Sequence, residues 1–352
     1  MSGLWTRGIV NHFLKELGLK KENLFVKNTT RHIFKGKEIE ANNSVEFIKA
    51  LSEMFPDENL SVFFAEAQKA YEELCKYSEI CGVPLPTELI VKVFGAKKLL
   101  NFPKGYPHFY DWMSKTHKQK LDEHFKNEGL KALLCSRLCY FGVTEPEKAP
   151  GLMALSACVS FYLYGGHFLK AQKFADSLKE FIEDHGGKVL VKSKADKILT
   201  ENREVKGVKA GDKIFRSPVV VSNANAKTTF LELTGTNNLD KKYAEYVKGL
   251  KMSPSCFMVF LGVDINLSNY PTLIKNLDEG YEFVINSNAD PSLAPEGKAS
   301  LTISGGANYY DFPARETEEY LHKKNELAEK LFKREEILIR RKRVCMIWKR
   351  GK

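Results

Sequence analysis

The sequence predicts an α/β protein with a separate α+β domain and a helical region, laid out along 352 residues. Three observations carry that expectation. Apolar residues recur at helical spacing through 44–75. A strand-rich stretch ends in Val219-Val220-Val221, a β-branched run suited to a strand buried on both faces. After residue 227, strand patterns alternate with helices again. A chain this long can bury a sizeable core and hold two domains.

Taken in order, Thr6 can cap a short helix over 7–17 whose apolar face is Ile9, Val10, Phe13, Leu14 and Leu17, closed by Gly18. Residues 24–27 and 32–34 read as strands, and Lys35-Gly36-Lys37 turns the second into a third at 38–40. Ser44 starts a helix that Pro56 must stop. Asn59 can cap the next, 60–75, with Phe63, Phe64, Ala67, Tyr71 and Leu74 on one face. Lysine-rich helices continue to about residue 141. Residues 168–185 predict a helix closed by Gly186-Gly187, followed by a short strand at 188–191. Strands at 195–200, 205–209 and 213–215 are separated by turn residues, and a helix near 239–250 leads into a strong strand at 255–263. Further strands are expected at 282–286 and 299–304, and a last helix from about Glu316.

Composition excludes several classes. Seven cysteines form no C-x-x-C pair, which argues against a zinc site or disulfide framework and for a reducing compartment. The net charge of +10 does not describe a nucleic-acid surface. Residues 333–352 hold nine Lys and Arg against Glu335 and Glu336, so +7 of that charge sits in the last 20 residues. The N-terminal residues lack a continuous apolar run, so no signal peptide is expected. The uncharged stretch 149–169 is broken by Pro150, Gly151 and Gly165-Gly166. Its helical part, 152–164, spans only about 20 Å against a ~30 Å bilayer core, so a buried helix is expected.

Residues 164–226 read YGGHFLKAQKFADSLKEFIEDHGGKVLVKSKADKILTENREVKGVKAGDKIFRSPVVVSNANA. In this stretch a Gly-Gly pair opens a helix, a second closes it, a strand and a three-stranded meander follow, and a final strand ends in Ser-Asn-Ala. The order resembles the second half of the flavin domain in the phytoene desaturase, carotenoid isomerase and retinol saturase family, within the flavin amine oxidase superfamily. Three further stretches are similar to that family: 1–20, which contains SGLWTRGIVNHFLKELGLK, 252–264, and the loop DPSLAPEGK at 290–298. The resemblance implies an incomplete FAD-binding (Rossmann-like) domain plus an α+β substrate domain with a helical subdomain. The implied boundaries are 1–20 for a remnant of the FAD-binding domain and 21–150 for the substrate and helical region. The second part of the FAD-binding domain with its β-meander would be 151–226, the substrate domain 227–330, and 331–352 a basic tail.

No two glycines in the chain are separated by one residue, so the G-x-G-x-x-G turn that cradles a pyrophosphate is absent. The acidic residue expected about 20 residues after it is absent with it. The tail LFKREEILIRRKRVCMIWKRGK departs from the family and reads either as a frameshifted or truncated end or as an amphipathic membrane-surface helix. The resemblance places Ala195 where a strand backbone meets adenine. It places Ser222, Asn223 and Ala224 at a strand end facing the cofactor, and Gly165 and Gly166 at a helix entry near the flavin ring. Ordinary strand, turn and capping roles account for the same residues. His167 could face substrate or be structural, and Phe161, Tyr162 and Tyr164 could line an apolar tunnel or fill a core. Cys135 and Cys139 lie one helical turn apart without a histidine at metal spacing, so they read as packing and no metal site is expected.

The resemblance implies FAD-dependent desaturation, isomerisation or saturation of a carotenoid, isoprenoid or other apolar polyene, with the flavin performing the hydride chemistry and no catalytic residue nameable. The chain itself is expected to be inactive, its FAD binding being in doubt. It is expected to be cytoplasmic, with peripheral attachment to a membrane surface and no nucleic-acid partner. The alternatives are a non-catalytic lipid- or prenyl-binding protein on the same fold, and an amine oxidase.

Overall fold

The computed structural model describes residues 9–40, 42–81, 105–141, 143, 145–252 and 255–338. They divide into two compact units: Met1–Ala175 together with Ser253–Lys352, and Asp176–Met252.

The first unit is built on a six-stranded sheet whose strands, from one edge to the other, are β3 (Lys37–Glu40), β2 (Thr30–Phe34), β9 (Leu273–Asn276), β10 (Tyr281–Ile285), β11 (Ala299–Ala307) and β8 (Ser255–Val263). The β2–β9 pair is parallel and the other pairs are antiparallel. Strict alternation assigns the two faces. Val259, Leu261, Tyr281, Phe283, Leu301 and Ile303 are buried on one face with Ala328 and Leu331 of the Glu318–Leu338 helix. Phe34, Leu273 and Val284 on the other face join the core of the helical region.

The β2–β3 hairpin uses the predicted Lys35-Gly36 turn, with both residues at positive φ. The Asp278 carboxylate accepts from the amides of Lys35 and Gly36 at 2.8 and 2.9 Å, tying this turn to the turn after β9. β9 is not predicted from the sequence. It is four residues long, carries Lys275 and Asn276, and exists because two neighbouring strands hold it.

The helices Ser44–Met54 and Leu60–Cys81 start as expected, with the side chains of Asn43 and Asn59 accepting from amides of the first turns. The second runs beyond residue 75 because no Gly or Pro intervenes before Gly82. Phe47, Leu51, Phe63, Phe109, Trp112 and Leu130 form the centre of this region, all fully buried. The uncharged stretch is the buried helix predicted. It runs as Gly151–Ala154, a π-helical turn Leu155–Val159, and Ser160–Tyr164. Gly151 is required at its start, since a Cβ there would lie 2.4 Å from the Trp112 carbonyl oxygen. Among the described residues no helix is long and apolar enough to cross a membrane.

A two-stranded pair, β1 (Phe25–Lys27) and β4 (His167–Leu169), corrects one expectation. Residues 168–169 are strand rather than helix, because Phe168 and Leu169 pair with Val26 and Phe25. The helix that follows is Ala171–Asp184, and it ends as predicted at Gly186 (φ +79) and Gly187. The Gly187 amide donates to the Ile182 carbonyl at 2.8 Å.

The second unit holds the predicted meander, β5 (Lys197–Glu201), β6 (Glu204–Ala210) and β7 (Lys213–Arg216), and the helix Lys241–Gly249 capped by Asp240. Two expected strands are not formed there. Residues 188–191 and 219–221 have no strand pairing among the described residues, and Val219 and Val221 are 71% and 92% exposed. A β-branched run fits a strand buried on both faces only where neighbouring strands accept its backbone hydrogen bonds, and no described strand does so here.

Candidate functional site

Strand register brings one row of side chains across five strands of the larger sheet. His32 on β2 lies opposite Lys275 on β9, Lys275 opposite Glu282 on β10, Glu282 opposite Ser304 on β11, and Ser304 opposite Met258 on β8. The neighbouring row is Thr30, Leu273, Val284, Thr302 and Phe260. Both rows lie on the face shared with the helical core, where an uncompensated polar group is costly. His32, Thr30, Lys275, Thr302 and Ser304 are all buried.

Arg137 and Tyr140, from the turn after the Glu128–Cys135 helix, complete the group. The Arg137 guanidinium lies over the Phe161 ring at 3.5 Å and over the Tyr140 ring at 4.9 Å. The Lys275 ammonium lies 4.6 Å from the Tyr140 ring centre and donates to the Ser136 carbonyl at 2.9 Å. The Tyr140 hydroxyl donates a short hydrogen bond to Glu282, which also accepts from the Ser304 hydroxyl at 3.0 Å. Arg137 Nε and Nη1, both ring nitrogens of His32 and Thr30 Oγ1 are buried without a hydrogen-bond partner.

The electrostatics follow from burial. Desolvation, reinforced by Arg137 and Lys275, pushes His32 down to about 3, so it is neutral. Burial and the Arg137 charge bring Lys275 down to about 8. Burial raises the Glu282 carboxyl, against the pull of Ser304 and Arg137. Burial also lowers Arg137, which stays charged at neutral pH because guanidinium is so basic. The group therefore contains two cations and one carboxylate whose ionisation is disfavoured. Neither cation forms an ion pair within 4 Å among the described residues.

Where β8 starts and β11 ends, a cleft of about 490 Å³ is lined by Phe257, Tyr309, Tyr310, Phe312, Pro313 and Tyr320, among others. Of the two roles open to Phe161, Tyr162 and Tyr164, core is the one seen for the first two. Phe161 and Tyr162 are buried core, with the Tyr162 ring stacked on Phe47 at 4.6 Å and its hydroxyl donating to the Leu133 carbonyl. Tyr164 is half-buried against Tyr71. His167 is buried in β4 opposite Lys27. Cys135 is half-buried, and its thiol is pushed up to about 11 by burial, whereas Cys139 is exposed.

The residues assigned to the flavin fall into both units. Gly165 (φ +77) ends the buried helix, and Gly166 packs so closely that a Cβ would sit 2.4 Å from the Phe161 ring. Ala195 is exposed just before β5. Ser222, Asn223 and Ala224 are exposed in an irregular segment, where the Ser222 hydroxyl shares a hydrogen bond with Thr229 at 2.8 Å. These residues offer backbone and small polar contacts only. None of the 24 glycines forms the paired turn that approaches a pyrophosphate, so the residues present do not by themselves fit the dinucleotide part of FAD.

The cross-strand row was not legible in the sequence because its members come from five strands up to 272 positions apart. The available signal was local: Glu282, Thr302 and Ser304 are polar members of the alternation in β10 and β11.

No family model matches the chain. Over 204 residues it is 27% identical to a 4,4'-diapophytoene desaturase (4,4'-diapolycopene-forming) of Methylomonas, a match covering 52% of this chain and 40% of that protein. Over 173 residues it is 27% identical to the chloroplastic prolycopene isomerase of Arabidopsis thaliana, covering 46% of this chain and 29% of that protein. The chain thus spans well under half the length of these curated relatives. The crystal structure of an oxidoreductase from Methanosarcina mazei superposes with a TM-score of 0.59 at 18% identity, covering 97% of this chain and 72% of that one, which establishes the likeness of fold.

Proposed function

We propose that this chain, a low-identity homologue of the carotenoid desaturases and isomerases among the FAD-dependent oxidoreductases, holds the substrate side of an enzyme acting on an apolar polyene or isoprenoid. The carrying observation is the sheet face on which exposed Met258 and Phe260 run inward to a buried polar row. Such a face offers a long apolar molecule a track and a polar stop. FAD, where bound, supplies the hydride chemistry. In this reading Gly165 and Gly166 shape the chain near the flavin ring, Ala195 presents backbone to adenine, and Ser222, Asn223 and Ala224 border the cofactor. The residue blocks 1–20 and 151–226 then belong to the flavin domain, and 21–150 and 227–330 to the substrate side. A cytoplasmic protein resting on a membrane surface, where such substrates dissolve, fits the same reading.

A second reading is a lipid- or prenyl-binding protein without redox activity on the same fold. One preparation separates the two. The purified chain is extracted with organic solvent and the extract analysed by mass spectrometry, while the protein is scanned for flavin absorbance. A polyene or isoprenoid in the extract supports an apolar ligand, and a flavin band beside it removes the second reading. Protein free of any apolar ligand, and unable to take one up from detergent, refutes both.

A further inference from the structure

We infer that Arg137 and Lys275, set in the His32–Lys275–Glu282 row, receive the carboxylate of an otherwise apolar long-chain ligand. The inference rests on the apolar-ligand reading above and narrows its class from a hydrocarbon to a polyene or isoprenoid acid. A pure hydrocarbon gives these groups nothing. Arg137 has two buried nitrogens without a partner, while its planar faces are covered by Phe161 and Tyr140. Lys275 has one hydrogen-bond acceptor, the Ser136 carbonyl, for three donors. The Arg137 charge pulls on the Glu282 carboxyl, but among the described residues Glu282 forms no ion pair within 4 Å with either cation, and its oxygens take hydrogen bonds from Tyr140 and Ser304. A carboxylate matches guanidinium in planar geometry and would supply the missing acceptors and charge.

Access and length are also consistent. Tyr140, whose ring lies against both cations, is 46% exposed. At the far end of the row Met258 is 51% exposed, and Phe260 in the next row is 65% exposed. Lys275 and Met258 are three strand spacings apart, roughly 14 Å, which sets the length of chain between the carboxylate and the sheet edge. His32, neutral and without partners, offers the carboxylate a further donor.

The test titrates the full-length chain with cis-parinaric acid, a fluorescent polyene acid, and with its methyl ester. The acid is expected to bind about tenfold or more tightly than the ester, the loss expected when one charge-assisted contact disappears. Arg137→Met should abolish that preference and raise the melting temperature, because it removes a charge whose Nε and Nη1 are buried without a hydrogen-bond partner. Lys275→Met, which keeps the stem, gives a second route to the same loss if Arg137→Met fails to fold. Equal affinity for acid and ester, or a preference that survives both substitutions, overturns the carboxylate assignment while leaving the apolar-ligand reading intact. Binding of neither probe overturns both.

Discussion

Lys120 is the most consequential side chain for the stability of the helical region. It is 1% exposed, yet its ammonium contacts Glu66 at 2.6 Å, Asp111 at 2.6 Å and Glu123 at 2.8 Å and lies 5.5 Å from the Trp112 ring centre. Burial opposes its charge, but the hydrogen bonds it donates to Asp111, Glu123 and Glu66 outweigh that and raise its pKa. Lys120→Met keeps the stem against Trp112 and deletes only the charge. The loss is not three full charge-assisted bonds. The Asp111 and Glu123 side chains are 37% and 39% exposed and also reach Lys115. Glu66, at 24% exposure, keeps a hydrogen bond from Trp112 Nε1 at 3.1 Å and the contact with His124 Nε2 at 3.0 Å. Removing one partner from a buried ion cluster costs about 3–5 kcal/mol, and the exposure of two carboxylates places this case near the lower end, at about 3 kcal/mol. Urea unfolding followed by Trp112 fluorescence, in a Trp5→Phe/Trp348→Phe background, measures it. A loss below about 1 kcal/mol, within the range of exposed ion pairs, would refute the argument that burial makes this cluster structural.

Other outcomes follow from the same physics. Gly166→Ala should destabilise the first unit by about 1–3 kcal/mol in thermal melts, because the new Cβ meets Phe161, itself 1% exposed and unable to swing away. Gly207→Ala should open the meander, since its φ is +144 and a Cβ would lie 2.0 Å from the Phe215 carbonyl oxygen; faster hydrogen exchange across 197–216 is the readout. His32 has a folded pKa of about 3 against 6.5 for the unlinked group, so the unfolded chain binds the extra proton first. Its contribution is complete above pH 6.5 and is lost as pH falls toward 3, by at most about 1.4 kcal/mol per pH unit. His32→Phe should therefore flatten the stability profile between pH 6.5 and 4, as measured by urea midpoints. An unchanged slope would assign the acid sensitivity to other groups.

The sequence by itself determined the elements whose information is local. The 35–36 turn, the Asn caps, the buried uncharged helix and strand β8 all follow from residues within a few positions of one another. It also carried the similarity to carotenoid desaturases and isomerases, through the order of short segments rather than any single residue. Tertiary structure decided the rest. β9 exists only between β2 and β10, while Val219-Val220-Val221 stays irregular without a strand to pair with, although its residues favour strand. The buried cations show the difference most clearly. Arg137 and Lys275 read as ordinary surface residues in sequence, since nothing local distinguishes them from the chain's other 52 Lys and Arg. Only the register of strands joined from distant parts of the chain, with the turn that carries Arg137 packed beside them, sets the two together and takes Lys275 and the Arg137 Nε and Nη1 out of water. Burial and cross-strand proximity are sums over long-range contacts, and no local pattern encodes such sums.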